Sequence, residues 1–341
     1  MSKAPTDFAR HLTGYFIGHL AGSLDLSEHT ISSRRTSFSL LIGYCSDVEG
    51  IRSSSLAIRD IDRPLLERFL DWLEDERGNS PSTRNVRLDA VKTFFAYVQV
   101  VAPEHMLQCQ QIAAIPRKRE PKTCVKWLTL DAVQALLDGI DSSRYQGLRD
   151  LALLSLLYDS GARVSELAEA KAGDLRTDEP ARIRLFGKGA KERFVPLMGD
   201  TVDVLRSYLR HRAERKRFAA EDPLFVNRGG DKLTRGGIRY VLQKHWAAVP
   251  PDIRDAGMLE ITPHTLRHSK AVHLLQADVP LIYIRDFLGH SELSTTEIYA
   301  QCDSGAIRKA IERSNGVTMD IEEPIWERDA SIMRWLESLS E

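Results

Sequence analysis

Residues 262–269 read Thr-Pro-His-Thr-Leu-Arg-His-Ser. They lead into a stretch that we predict to be helical over 264–276, and residues three positions apart lie on one face of a helix. His264 and Arg267 are therefore expected to share a face. A His-x-x-Arg pair alone is a weak functional signal, so its meaning depends on which residues accompany it along the chain.

A second arginine, Arg163, follows the apolar stretch 148–158, which is predicted to be a buried core helix. Gly161 stands between the two, so Arg163 is expected at the inner end of this helix and not on an open face. Glu166 comes three residues later on the same predicted helix face. Its carboxylate could orient the arginine guanidinium.

Residues 182–186, 187–190 and 191–197 are predicted to form a strand, a tight turn and a second strand. Lys188 lies at the tip of this hairpin between two glycines, which let the backbone turn tightly, and Lys191 is a nearby lysine that could take the same role. Residues 288–299 then read Leu-Gly-His-Ser-Glu-Leu-Ser-Thr-Thr-Glu-Ile-Tyr, and they place His290 and Tyr299 last in the series.

Two arginines, a lysine, two histidines and a tyrosine supply what cleavage of a phosphodiester needs without a metal. Arginine binds phosphate oxygens through a planar fork that keeps its charge, so Arg163 and Arg267 are candidates for a phosphate clamp. A tyrosine hydroxyl, with an ordinary pKa of about 10, needs a base before it can act as a nucleophile. Tyr299 is the candidate nucleophile and His264 the candidate base. No metal and no cofactor are expected.

These residues and their order resemble the catalytic set of the tyrosine recombinase (phage integrase) family, and the resemblance covers nearly the whole chain. It implies site-specific DNA recombination through a 3′-phosphotyrosyl intermediate on Tyr299 and a Holliday junction, for integration, excision or transposition. It further implies that Lys188 is the general acid and that His290 hydrogen-bonds the scissile phosphate. The residues that follow Arg267 look most like recombinases carried by mobile elements.

The resemblance also predicts the fold, which is mainly α with a small antiparallel β-sheet, arranged as a two-domain clamp. Residues 1–114 would form an all-helical, SAM-like core-binding domain, and 115–126 a basic interdomain linker. Residues 127–318 would form a mixed α/β catalytic domain. An acidic tail, 319–341, would end in a helix that contacts a neighbouring protomer or packs on its own domain.

Composition sets limits on partners and location. The net charge is −1, but the tail carries −5 of it, so the rest of the chain is only mildly basic at +4. Global charge thus neither supports nor excludes DNA. The chain contains no apolar run of about 18 residues and starts without a secretory signal, so no membrane partner is expected. Four scattered cysteines indicate reduced thiols and a cytoplasmic location.

The expected partner is double-stranded DNA carrying a specific recombination site, bound as a dimer per site and a tetramer in synapsis. The DNA-contacting candidates lie on predicted helix surfaces, in the basic linker and on the helix that would enter the major groove. They are Arg34, Arg35, Arg84, Arg87, Arg117, Lys118, Arg119, Arg235, Arg239 and Lys244. The alternative is that the linker is a merely soluble connection.

Three points stay open at this stage. Lys270, where relatives often have an aromatic residue, could add charge near the phosphate, pair with Glu166 or point into solvent. A type IB topoisomerase or hairpin resolvase would share the chemistry without strand exchange between partners. A catalytically silent DNA-binding regulator could share the fold, although the intact residue set argues against it.

Overall fold

The computed structural model describes residues 5–23, 26, 28–120, 125–187, 191–254, 258, 260–289, 296, 298–299, 334–335 and 337–339. The chain divides into two units, Met1–Lys122 and Thr123–Glu341. The division falls inside the stretch 115–126, which the sequence predicted to be a linker.

The N-terminal unit is entirely helical in its described residues. Ser80 shows how its helices begin, because its hydroxyl accepts a hydrogen bond from the backbone of Thr83 ahead of a proline at the first helical position. The unit contains α1 (Asp7–Gly14), a π-helix (Tyr15–Ser23), α2 (Glu28–Asp47), a 3₁₀ turn (Ile58–Asp60), α3 (Arg63–Asp75), α4 (Pro81–Val101), a second 3₁₀ turn (Pro103–His105) and α5 (Met106–Ala113). Aromatic rings from α1, α2 and α4 pack edge-to-face in its core.

Helix α4 corrects two expectations about which residues face inward. The apolar spacing of a helix that starts at Ser82 predicts Val86 and Val91 on its inward face, but Val86 is 47% exposed, whereas Asn85 is buried. At about 100° per residue, Val86 lies about 140° around the helix from the buried Val91, so it falls outside the apolar face. Arg84 was predicted to face outward, yet only 11% of its side chain is exposed and it pairs with Glu74 at 3.3 Å.

The named elements of the C-terminal unit are seven α-helices, a 3₁₀ turn (Ala172–Asp174) and a three-stranded sheet. The helices are α6 (Leu130–Asp138), α7 (Tyr145–Ser160), α8 (Val164–Glu169), α9 (Gly199–Arg215), α10 (Arg235–Ala248), α11 (Pro263–Gln276) and α12 (Leu281–Leu288). The strands β1 (Leu175–Arg176), β2 (Arg182–Phe186) and β3 (Glu192–Pro196) pair antiparallel in the order β1-β2-β3. The predicted fold class, mainly α with a small antiparallel sheet, is confirmed.

Helix α7 runs through the core of this unit, as its apolar sequence predicted. Leu153, Leu154, Leu156 and Leu157 are fully buried and join the main hydrophobic cluster of the unit. A second apolar cluster lies between α11 and α12 and contains Ala271, Val272, Ile284, Leu288 and Tyr299. Of the described catalytic candidates, Arg163 follows the end of α7, His264 and Arg267 lie on α11, and Tyr299 belongs to this second cluster.

Candidate active site

Gly161 positions the first arginine. It ends α7 in the left-handed conformation (φ 55°), which glycine adopts without the steric cost that a Cβ imposes. A Cβ at this position would come within 3.1 Å of Leu288 and Phe287 side-chain atoms of α12. The turn therefore brings α7 against α12 and leaves Arg163 as the residue that starts α8.

Glu166 holds Arg163 as the sequence predicted. Its carboxylate accepts hydrogen bonds from the backbone nitrogen and from Nη1 of Arg163, both at 2.8 Å. The carboxylate itself is almost fully buried. Burial acts to raise the pKa of Glu166, but hydrogen bonds from Arg193 and Arg163 outweigh it, so the pKa is lowered overall. Glu166 is therefore ionised at neutral pH and fixes the direction of Arg163.

Arg193 is a third arginine at the site that the sequence reasoning missed. It binds Glu166 through both terminal nitrogens at 2.9 and 2.7 Å, and its Nε donates to the backbone oxygen of Phe287 at 3.1 Å. The alternation of side chains along the strand could have indicated that Arg193 faces inward, because Arg193 lies two residues before the buried Val195 and opposite the buried Leu185. An arginine on the inward face of a strand requires a buried partner.

Arg267 is buried on α11, with 2% of its surface exposed. Its Nη1 donates to the backbone oxygen of Gly161 at 2.6 Å, and its Nη2 donates to that of Leu288 at 2.7 Å. Burial and the nearby Arg163 charge lower the pKa of Arg267 to about 10, so it stays protonated at neutral pH. The guanidinium thus ties the end of α7 to the end of α12.

Three guanidinium groups meet at the C-terminal end of α12. Arg193 binds the backbone oxygen of Phe287, Arg267 that of Leu288, and Arg163 that of Gly289. The last carbonyls of a helix lack intrahelical partners and carry partial negative charge, so cations are stable there. Glu166 is the one carboxylate that pairs with these arginines in the described part of the chain. The excess positive charge favours an anion such as a phosphate.

Tyr299 is buried beside α11, with 1% of its surface exposed. Its hydroxyl and Nδ1 of His268 are 2.9 Å apart, and the two rings are tilted by 54° with centroids 5.6 Å apart. The sequence named His264 as the candidate base for Tyr299, and the structure adds His268 as a ring in hydrogen-bond contact with the hydroxyl.

His264 lies one turn before His268 and is exposed, and the two rings stack at 6.2 Å. Burial of part of its ring and the charges of Arg267 and Arg163 lower the pKa of His264, so the ring is neutral at neutral pH and able to accept a proton. His264 and Arg267 share a face of α11, as predicted.

Lys188 and His290 lie outside the described residues. Gly187 and Gly289, the residues that precede them, are described, and each lies close to the Arg163 guanidinium. A Cβ at Gly187 would lie 3.8 Å from Nη1 of Arg163, and Gly289 accepts a hydrogen bond from Nη2 of Arg163 at 3.2 Å. Lys191, the competitor for the role of Lys188, is exposed.

Lys270 neither pairs with Glu166 nor points into solvent, which were two of the three possibilities left open by the sequence. Its Nζ pairs with Oδ1 of Asp159 at 3.0 Å and lies over the ring of Tyr158 at 5.1 Å. Both charged groups are largely buried. Lys270 therefore joins α11 to the C-terminal end of α7 and contributes to the scaffold of the site.

The DNA-contacting candidates fall into two groups by their surroundings. Arg35, Arg119 and Arg239 are exposed and make no hydrogen bond or ion pair with the described residues. Arg235 has an interaction partner. The remaining six bind other groups of the chain. Arg34 binds the Tyr15 hydroxyl, Arg84 and Lys118 both pair with Glu74, and Lys244 pairs with Asp150. Arg87 binds Ser33 and Ser37, and Arg117 pairs with Asp89 and Glu120.

Within the described residues, no three His, Cys, Asp or Glu side chains are grouped so that they could hold a metal ion. No helix in this part of the chain is long and apolar enough to cross a membrane.

The fold and the cluster of arginines beside a buried tyrosine define a class of DNA strand-transfer enzyme, and similarity to known proteins agrees. Residues 126–305 match the Phage integrase family. The chain is 38% identical to a Sinorhizobium fredii protein named as an integrase/recombinase, y4rC, over 85% of this chain and 86% of that protein. It is 31% identical to tyrosine recombinase XerC of Herpetosiphon aurantiacus, over 83% and 88% of the two chains.

Solved structures agree on the fold. XerH site-specific recombinase bound to palindromic difH substrate aligns with a TM-score of 0.65 at 22% identity, over 86% of this chain and 82% of that chain. A lambda integrase dimer bound to a COC′ core site aligns with a TM-score of 0.62 at 14% identity, over 92% and 99%. The chain belongs to the phage integrase family and is a tyrosine-type site-specific DNA recombinase.

Proposed function

We propose that Tyr299 is the nucleophile of this recombinase and that Arg163 and Arg267 bind the scissile phosphate. One observation carries this proposal: Arg267 donates to the backbone oxygen of Leu288, and the ring of Tyr299 belongs to the same apolar cluster as the Leu288 side chain. A clamp for the phosphate and a phenol for the attack therefore meet at one helix end.

The proposed step balances as a transesterification. The phenol loses its proton to His264, and the Tyr299 oxygen forms a bond to phosphorus while the bond from phosphorus to the 5′ oxygen breaks. Lys188 gives a proton to the leaving 5′ oxygen, and His290 hydrogen-bonds the phosphate. The 3′-phosphotyrosyl ester conserves the bond energy, so that a second strand can be joined without ATP.

The arginines lower the barrier to this step through charge. The phosphate gains negative charge on its non-bridging oxygens in the transition state, and donors that are already fixed stabilise that charge without reorganising. Glu166 and Arg193 supply the fixed geometry, because Glu166 binds both Arg163 and Arg193. We assign Glu166 and Arg193 as positioning residues.

The duplex and the assembly belong to the same proposal. Double-stranded DNA with a specific recombination site would be bound by a dimer, and two dimers would form a tetramer in synapsis, with the exchange proceeding through a Holliday junction. Trp335 and Leu339, in the described part of the tail, expose apolar side chains that are four residues apart, which supports a contact with another protomer or with the catalytic unit. A cytoplasmic location fits the scattered cysteines.

A covalent trapping assay tests the nucleophile. A nicked suicide substrate is built from the DNA that flanks the gene, and the protein–DNA adduct is measured after denaturation. We expect an adduct with the wild type, none with Tyr299→Phe, and one with Tyr283→Phe, since Tyr283 is an exposed tyrosine away from the cluster. An adduct with Tyr299→Phe, or none with the wild type, would show that the assignment is wrong.

A further inference from the structure

His268 has no part in the chemistry proposed for Arg163, Arg267 and His264, yet its ring contacts the Tyr299 hydroxyl. Three rings follow one another from the surface inward. His264 is exposed, His268 is half-buried and Tyr299 is buried. Neighbouring ring centroids are 6.2 and 5.6 Å apart. The Tyr299 hydroxyl is therefore held at the inner end of a series whose outer end is open.

The protonation of the pair decides what this contact can do. Burial, with the nearby His264 and Arg267, lowers the pKa of His268 to about 4, so its ring is neutral at neutral pH. The phenol, with an ordinary pKa of about 10, keeps its proton and donates it to Nδ1. Moving that proton onto a ring of such low pKa would be strongly unfavourable. His268 can anchor the hydroxyl but is a poor base for it.

The engagement of the Tyr299 hydroxyl argues that the contact belongs to a resting state. The hydroxyl of this buried side chain is bonded to Nδ1 of His268, a poor base, so it must change partner before it can attack a phosphate. His264 lies four residues before His268 on α11, which corresponds to a rise of about 6 Å. A shift of about one helical turn would therefore carry the hydroxyl from His268 to the exposed ring.

We propose that His268 is a positioning residue that holds the Tyr299 hydroxyl in a buried resting position, and that attack on DNA requires the hydroxyl to leave His268 for His264. This rests on the proposed role of Tyr299 as nucleophile. The two histidines then have separate roles, since His268 holds the Tyr299 hydroxyl at rest and His264 removes its proton for the attack.

Chemical modification of the free protein tests the resting position without any DNA. Tetranitromethane nitrates accessible tyrosines, and peptide mapping by mass spectrometry gives a rate for each tyrosine. Tyr240 and Tyr283 are exposed and serve as internal references. In the wild type we expect Tyr299 to react far more slowly than both. Equal rates for the three tyrosines would overturn the proposal.

Two variants and a control separate the hydrogen bond from burial. His268→Leu removes the acceptor and should speed nitration of Tyr299 about fivefold, the factor for one ordinary hydrogen bond. His268→Asn places an oxygen near the position of Nδ1 and should restore part of the protection. Val279→Ala loosens the same apolar cluster without touching the contact and should leave Tyr299 slow. If Val279→Ala accelerates nitration as much as His268→Leu does, burial alone protects Tyr299 and the proposal is wrong.

The trapping assay gives the second readout. Release of the hydroxyl should let His268→Leu form its adduct about fivefold faster than the wild type in a single turnover. An unchanged or slower rate in a variant with normal circular dichroism would overturn the resting role. An adduct that persists in Tyr299→Phe would instead refute the nucleophile assignment, while the nitration result would still report on the contact.

Discussion

Arg117 and Lys118 in the N-terminal unit each lie against a carboxylate, whereas Arg163 and Arg193 in the C-terminal unit share the carboxylate of Glu166. Arg117 pairs with Asp89 at 3.1 Å and Lys118 with Glu74 at 2.8 Å. Both basic side chains are more than half exposed, and the two ion pairs hold residues 117–118 onto the helices of their own unit. Around Glu166, one carboxylate faces the guanidinium groups of Arg163 and Arg193, so the site keeps a net positive charge.

The difference shows that a basic residue in the sequence does not by itself mark a surface for DNA. A positive charge beside its own acid gains little from a phosphate, because the ion pair must first be broken. A guanidinium that is held by backbone carbonyls keeps its charge uncompensated. Counting the partners of each arginine therefore ranks the candidates better than counting arginines.

Removal of Arg163 should have the largest effect. Arg163→Ala takes away a fixed donor to the phosphate, and we expect the single-turnover rate of adduct formation to fall about 10²- to 10³-fold. Arg163→Lys keeps the positive charge but loses the two-nitrogen fork of the guanidinium, so its rate of adduct formation should fall less than that of Arg163→Ala. Binding of DNA, measured in parallel, should change little. A rate for Arg163→Ala close to that of the wild type would contradict the clamp.

Neutralising Glu166 should lower stability. Glu166→Gln removes the buried counter-charge of the partly exposed Arg163 and Arg193 guanidiniums, and we expect the free energy of unfolding to fall by about 3 kcal/mol in urea denaturation. The pKa of Glu166 is lowered in the folded state. Its contribution is therefore complete above the ordinary value of about 4.3 and is lost as the pH falls through the lower folded value.

The pH profile supplies the control for this variant. The wild type should lose stability on acidification below about pH 4, and Glu166→Gln should lose less over the same range, because the titrating group is gone. Parallel profiles for the two proteins would mean that Glu166 does not carry the acid dependence.

The smallest expected effect is on the salt dependence of DNA binding, and it should differ between Arg239 of the C-terminal unit and Arg117 of the N-terminal unit. Arg239 has no described partner and Arg117 is already paired, so Arg239→Ala should reduce the salt slope of DNA binding by about 1 while Arg117→Ala should leave it unchanged. Binding of fluorescent duplex DNA across a range of salt concentrations measures both. If Arg117→Ala reduces the slope as much as Arg239→Ala, an ion pair within the protein does not predict which arginines reach DNA.

Much of the fold follows from local sequence. The apolar stretch 148–158 predicted α7, and the glycines between two short strands predicted the β2–β3 hairpin. The expectation for Val86 failed because hydrophobicity alone does not decide which side of a helix faces the core. Val86 looked apolar enough to be buried, but a buried Asn85 that hydrogen-bonds the backbone of Lys118 occupies the inward face.

The sequence by itself indicated the class of enzyme, because Arg163, Lys188, His264, Arg267, His290 and Tyr299 stand in the order that resembles the catalytic set of the family to which the chain belongs. Only the tertiary structure decided that Arg193 completes the Glu166 cluster, that Lys270 pairs with Asp159 and that His268 holds Tyr299. These partners are far apart along the chain, and no local pattern measures a distance between residues that folding alone brings together.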